Sequence, residues 1–237
     1  MKILALETSA VAASVAVTED EKLLAQSFQN SGLTHSATLM PMVADLLKNT
    51  GITMEDIDVI AVAVGPGSFT GVRIGVAAAK GLAWPGDKPC APCSTLESMA
   101  WQCAHMDGEI CVAMDARRKQ VYNARFLAEN GKLKRISEDR AIGVEELTEE
   151  VKKSGKTQIL VGDGASLCYN AFGQNGVPAV MMPPHLVYQT AWGVARAALE
   201  LARRDKLVPA GQMAPQYHRL SQAERERQER LSQTSES

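Results

Sequence analysis

The chain has no excess of positive charge. Its 25 lysines and arginines stand against 27 aspartates and glutamates, a net −2 at pH 7, so no global basic field is available to hold nucleic acid tightly and without sequence preference. A local basic patch stays open. The chain also lacks any charge-free apolar run of about eighteen residues, the length a membrane-crossing helix needs, and its opening MKILALETSA is interrupted by Glu7, too early for a secretory leader. The expectation is a cytoplasmic protein with no membrane contact. A disulfide framework is missing too, because Cys90, Cys93, Cys103, Cys111 and Cys168 are odd in number and irregular in spacing; reduced thiols are expected. The four histidines, His35, His105, His185 and His218, are scattered, and none has a second histidine at helical i, i+4 spacing, so no metal is expected. Cys90 and Cys93 have the spacing of a redox pair or half a zinc site, but no second pair follows and structural thiols are the simpler reading.

What is present is an ordinary globular composition, 46% apolar over 237 residues, enough for one large domain or two modest ones. KILALE, SVAVTED and KLLAQSFQ are three short strand-like runs with an acidic turn at Glu19-Asp20-Glu21, which predicts an antiparallel meander. Leu39, Met42, Val43, Leu46 and Leu47 then repeat at i, i+3, i+4, i+7 and i+8, the stripe of an amphipathic helix that starts near Ser36 or Ala37, tolerates Pro41 near its first turn and ends at Gly51. DVIAVAV at 58–64 is apolar without alternation, as a strand covered on both faces should be. After a small-residue helix and the turn PGDKP come a short strand PCAPCS and a short helix from Thr95 to Ala104. A second block opens at Gly108 with EICVAMDAR and QVYNARFLAENGKLKRIS, where Asn130-Gly131 marks a hairpin. Helical patterns at 145–153 and 185–204 flank the strand and turn TQILVGDGA, and the tail SQAERERQERLSQTSES reads as a solvated helix end or disorder. The plan is α/β, two units each opening on a meander, with a boundary near residues 104–108.

The segment VGPGSFTGVRIGVAAAKGLA at 64–83 carries the strongest local signal. Gly65, Gly67 and Gly71 bracket a turn between a buried strand and a helix start, whose free N–H groups favour an anion. The competing reading is that the glycines only permit the turn while Ser68 or Thr70 caps the helix; both stay open. No Walker lysine follows Gly71, no acidic residue stands where a dinucleotide fold wants one, and no GxSxG elbow is present. In the helix itself Gly71, Gly75, Ala78, Ala79 and Leu82 make a face with almost no bulk, which calls for a closely packed partner. Together with the first helix, where Met40 stands off the core stripe, the candidate interface is Leu39, Met40, Val43, Leu47, Gly71, Ile74, Gly75, Ala78, Ala79 and Leu82.

These segments, with Glu7-Thr8-Ser9 after the first strand, STLES at 94–98, DARRKQVYNA at 115–124, GDGA at 162–165 and PQYHR at 215–219, resemble the TsaB (YeaZ) family over nearly the full chain. The resemblance implies an actin-like ATPase (ASKHA) fold in two lobes, each a mixed sheet flanked by helices, residues 1–104 and 105–220, with a charged tail at 221–237. It also implies a part in forming the threonylcarbamoyl group on N6 of adenosine 37 (t6A37) in tRNAs reading codons that begin with A. In that scheme the chain is a scaffold without catalytic residues, paired with TsaD, which carries out transfer from threonylcarbamoyl-AMP, and with the ATPase TsaE; it meets tRNA only through the complex and forms a homodimer when alone. TsaD carries a metal-binding HxxxH, and Thr95 and Met99 stand at those places here, neither a replacement for an imidazole ligand. The enzyme-class alternative is an autonomous actin-like ATPase or kinase, for which Thr8, Ser9, Gly162, Asp163 and Gly164 occupy phosphate-loop-like places. A glycoprotease-type metallopeptidase is a further rival, disfavoured by the same missing histidines, and a structural homodimer of other function is a third. No cofactor is expected, apart from ATP or ADP held weakly at an interface with TsaD.

Overall fold

The computed structural model describes residues 1–218; the tail reading at 221–237 lies outside them. Two sheets are built on one plan. In the first, β1 (Lys2–Glu7), β2 (Ala13–Glu19) and β3 (Lys22–Gln29) form the expected antiparallel meander, and β4 (Val59–Gly65) and β5 (Cys90–Ser94) add in parallel on the other side of β1, in the order β3-β2-β1-β4-β5. The second repeats this. Its meander is β6 (Gly108–Asp115), β7 (Gln120–Glu129) and β8 (Lys132–Arg135), β10 (Gln158–Val161) and β11 (Ala179–Met181) add in parallel beyond β6, and β9 (Arg140–Gly143) pairs with β7. Asn130 and Gly131 are both left-handed, with φ of 51° and 72°, and set the β7–β8 register at Glu129 opposite Lys132.

The connections supply the helices. α1 (His35–Thr50) buries Leu39, Met42, Val43 and Leu46 and stops at Gly51, whose φ of 68° suits glycine. With α2 (Phe69–Ala83) it covers one face of the first sheet, where Leu4, Leu6, Val15, Val17, Ile60 and Val62 form the core. α4 (Val144–Lys152) and α5 (Ala165–Gln174) cover the outer face of the second sheet around Leu147, Phe172 and Leu160. Between the sheets lie α3 (Thr95–Gln102) and α6 (Ala191–Arg203). The order of layers is therefore helices, sheet, helices, sheet, helices.

The division expected at residue 104 separates the strands but not the helices. α3, from the first half of the chain, packs Leu96, Met99 and Ala100 on the second sheet; α6, from the second half, packs Val194, Ala195 and Ala198 on the first. They cross so closely that a Cβ at Gly193 would run into the Ser98 carbonyl. The helix expected over 185–204 is shorter, because Pro183 and Pro184 hold the chain extended and then in a single 3-10 turn; α6 begins only where Thr190 Oγ1 caps the Gly193 N–H.

Candidate functional site

α2 has two faces poor in side-chain bulk, and the fold uses them oppositely. Gly71, Gly75 and Ala79 turn inward. A Cβ on Gly71 would collide with the Thr8 carbonyl, and one on Gly75 would stand 2.5 Å from Thr8 Oγ1 and 3.2 Å from Val62 Cγ2. Leu39 and Val43 of α1 are likewise buried within the chain. These five positions of the expected partner face are thus already covered by the chain's own core, so they are corrected from contact residues to packing residues. Ile74, Ala78, Leu82 and Leu47 are half-buried at the margin of that core, and Met40 is exposed. Beside them Ala77 and Gly81 are exposed, with open space around Gly81, so Ile74, Ala77, Ala78 and Gly81 form an outward stripe at i, i+3, i+4 and i+7. On α1, Ala37, Met40, Pro41 and Ala44 repeat the same spacing and are all exposed. Trp84, directly after α2, is 74% exposed. The outer surface of the α1–α2 layer thus carries two stripes of small apolar side chains alongside the exposed Asp45, Lys48, Thr70 and Arg73, and such stripes are found where another helix packs closely.

The second feature is a cleft of about 430 Å³ between the two sheets' strand ends, lined by Ser9 and Val11, the glycine turn, Asp115, Arg117 and Asp163, with Gln216, Tyr217 and His218 at its rim. The glycine turn is fastened to the residues after β1. Ser68 N donates to Ser9 O at 2.6 Å, Thr8 Oγ1 donates to Gly71 O at 2.8 Å, and Ser68 Oγ caps Gly71 N at 3.2 Å. The capping reading of this turn is therefore realised. Gly65, at φ 122°, leaves room for the Gln216 carbonyl, while Gln216 N donates to Val64 O at 2.7 Å. In the second lobe Gly162 and Gly164 lie against the backbone of β6, and Asp163 Oδ1 accepts from Asp115 N at 2.9 Å. Burial raises the Asp163 carboxyl, a push that the Asp115 N–H partly opposes and the nearby Asp115 charge reinforces. Of the five phosphate-loop-like residues, Ser9 and Asp163 line the cleft, one from each lobe. The other three, Thr8, Gly162 and Gly164, are occupied by packing, and Ser9 is fully buried with its N–H donating to Glu7 Oε1 at 2.5 Å.

Glu7 is fully buried behind this loop. Desolvation raises its carboxyl from 4.5 to about 7, against hydrogen bonds from Ser9 and Thr8 that lower it. The sequence places Glu7 in the phosphate-loop-like Glu7-Thr8-Ser9 without assigning it a role of its own; the acid at the end of an apolar strand is the available signal. Thr95 and Met99, which the resemblance sets where TsaD has its two histidines, are fully buried, Met99 in the core between α3 and the second sheet. Neither side chain offers a metal the imidazole it would need.

A family model described as "TsaD: tRNA N6-adenosine threonylcarbamoyltransferase" matches residues 22–230. The chain is 36% identical over 167 residues to "tRNA threonylcarbamoyladenosine biosynthesis protein TsaB" of Bacillus subtilis, covering 70% of this chain and 73% of that one. Among solved structures, YeaZ from Pseudomonas aeruginosa superposes with a TM-score of 0.79 at 26% identity, covering 91% of this chain and 99% of that one. The ROK hexokinase of Thermus thermophilus, at 12% identity and a TM-score of 0.50 over 86% of this chain and 100% of its own, shares the fold alone. The fold is the actin-like one.

Proposed function

The chain belongs to the TsaB family, a branch of the wider TsaD family, and on that footing we propose that it is a non-catalytic scaffold in tRNA threonylcarbamoyladenosine formation. In this reading the outer surface of α1 and α2 docks a TsaD-type subunit, which transfers the threonylcarbamoyl group to N6 of adenosine 37 in tRNAs reading codons that begin with A. TsaE is the ATPase of the same assembly, tRNA reaches this chain only within it, and the setting is the cytoplasm. The carrying observation is the paired apolar stripe, Ala37, Met40, Pro41 and Ala44 beside Ile74, Ala77, Ala78 and Gly81. Left alone, such a surface pairs with a second copy by two-fold symmetry.

No cofactor of its own is assigned to the chain. Thr8, Gly162 and Gly164 are taken up by packing and Asp163 by the Asp115 amide, which argues against an autonomous ATPase or kinase. Thr95 and Met99 argue against metallopeptidase chemistry on the same ground of side-chain type.

Reconstituting threonylcarbamoyl transfer from purified parts with this chain left out tests the reading: product should fall to background, and undiminished product would overturn it. Gly81→Leu probes the placement. Its Cβ enters open space and the exchange raises helix propensity by roughly 0.8 kcal/mol, so the folded chain should gain stability while losing affinity for the TsaD-type subunit in titration calorimetry. Unchanged affinity would move the interface elsewhere.

A further inference from the structure

The turn between β6 and β7 holds three consecutive non-glycine residues in the left-handed region, Arg117 at φ 65°, Arg118 at 55° and Lys119 at 57°. None is an asparagine, aspartate or glycine, the residues that occupy this region with least strain. Backbone hydrogen bonds impose the conformation: Ala116 N to Gln120 O at 3.0 Å, Gln120 N to Arg117 O at 3.1 Å and Val144 N to Lys119 O at 3.1 Å. Strained backbone that a fold over-determines points to a use for what it displays. Here it displays three exposed cations in a chain of net charge −2. Arg117 stands on the lip of the interlobe cleft, and Arg118 and Lys119 line the adjoining groove against α4 and α5.

The opposite lip is aromatic and cationic. Phe69 and Tyr217 stack with ring centroids 4.6 Å apart, and Arg73 lies 3.8 Å over the Phe69 ring and donates from Nε to the Tyr217 hydroxyl at 2.7 Å. Tyr217 remains 46% exposed. The lining below has the other sign: Asp115, paired with Arg117 at 3.2 Å, and Asp163 face the cleft, and Glu145 and Glu149 border the groove. A free nucleotide seated inside would set its phosphates against two carboxylates, whereas a polyanion lying along the rim meets Arg117, Arg118, Lys119 and Arg73.

We propose that this rim is an RNA contact, with backbone phosphates on Arg117, Arg118 and Lys119 and an unstacked base against Tyr217. Single-stranded RNA is held by this combination, cations tracking the backbone and an aromatic face accepting a base. The inference rests on the reading above, in which the RNA is tRNA carried by the TsaD-type assembly.

The test uses the full chain assembled with the TsaD-type subunit and dye-labelled substrate tRNA, read by fluorescence anisotropy over a salt series. The triple variant Arg117→Asn, Arg118→Asn, Lys119→Asn removes the charge while keeping residues that tolerate positive φ. Its assembly, checked by size exclusion, should be unchanged. Its tRNA affinity should fall by about tenfold or more and its log–log salt slope should flatten by about two, for three lost phosphate contacts at roughly 0.7 each. Tyr217→Ala should weaken binding by about tenfold with the slope unchanged. Unaltered affinity and slope in the triple variant overturn the proposal. So does loss of assembly in that variant, which would make the turn a protein contact. If the wild-type chain itself fails to join the TsaD-type subunit, the functional reading falls instead, and the same comparison on the isolated chain decides the rim.

Discussion

Gly75 and Gly81 lie on one helix and do opposite things. A side chain at Gly75 meets Thr8 and Val62 inside the sheet, while one at Gly81 meets nothing. Gly75→Leu should therefore destabilise the fold by at least the 1–3 kcal/mol typical of overpacking, seen as a lower urea midpoint, where Gly81→Leu should raise it; equal midpoints would show that the inward face has slack. Glu7 carries a second residue-scale expectation. Its carboxyl ionises near 7 in the fold against 4.5 as the ordinary value, so folding takes up a proton between those pH values. The stability tied to the neutral acid is full below about 4.5 and is lost as pH rises through 7, an upper bound of roughly 3 kcal/mol. Glu7→Gln stays neutral and can still accept the Ser9 N–H. Its thermal midpoint relative to wild type should improve from pH 5 to pH 8 and level off above that; a pH-independent difference would mean Glu7 ionises normally.

At the scale of elements, β5 explains the CxxC pair. Residues three apart on a strand point to opposite faces, and Cys90 packs with α1 and α2 while Cys93 packs with α6. They cannot form a disulfide across the sheet. Burial pushes Cys90 up to about 11, Cys103 and Cys111 to about 12 and Cys93 well above its ordinary value. Reaction with a thiol reagent at neutral pH should be slow in the native protein and rapid in denaturant; a fast native phase would contradict this burial. In the second sheet, Arg125 on β7 binds Glu109 of β6 at 2.8 Å and Glu150 of α4 at 2.9 Å, and Arg140 of β9 reaches Glu150 at 2.6 Å. Arg125→Met leaves the buried Glu109, which also meets Lys156, Gln158 and Ser154, without its main partner. The expected loss is about 3 kcal/mol, with much of it restored by adding Glu109→Met. A double-mutant cycle in urea measures it, and additive losses would mean the pair is not coupled.

The molecule as a whole joins its two lobes by exchanging helices. α3 leaves the first half of the chain to lie on the second sheet and α6 returns to the first, so the inner face of neither sheet is covered without the other half, and unfolding should be a single transition. The outward stripes of α1 and α2 then remain uncovered on the first lobe's outer side. Sedimentation of the isolated chain should show a concentration-dependent dimer that Gly81→Leu converts to monomer. A monomeric wild type at high concentration would contradict the self-pairing.

The amino-acid sequence by itself determined the features that depend on neighbours a few residues away: the meander of β1 to β3, the stripe of α1 and its stop at Gly51, the Asn130-Gly131 hairpin and the buried strand β4. Period and turn chemistry are local properties, so they can be read locally. β9 and β11, four and three residues long, carry too little period to be seen; α5 has the helical spacing at Ala165, Cys168 and Phe172, but only over three residues and with Gly173 near its end. Only the tertiary structure decided which of the two small faces of α2 turns inward, because the choice depends on Thr8 and Val62 meeting Gly71 and Gly75 from distant strands. The same holds for the left-handed Arg117, Arg118 and Lys119, whose conformation no side chain among them favours; backbone partners supplied by Ala116, Gln120 and Val144 impose it.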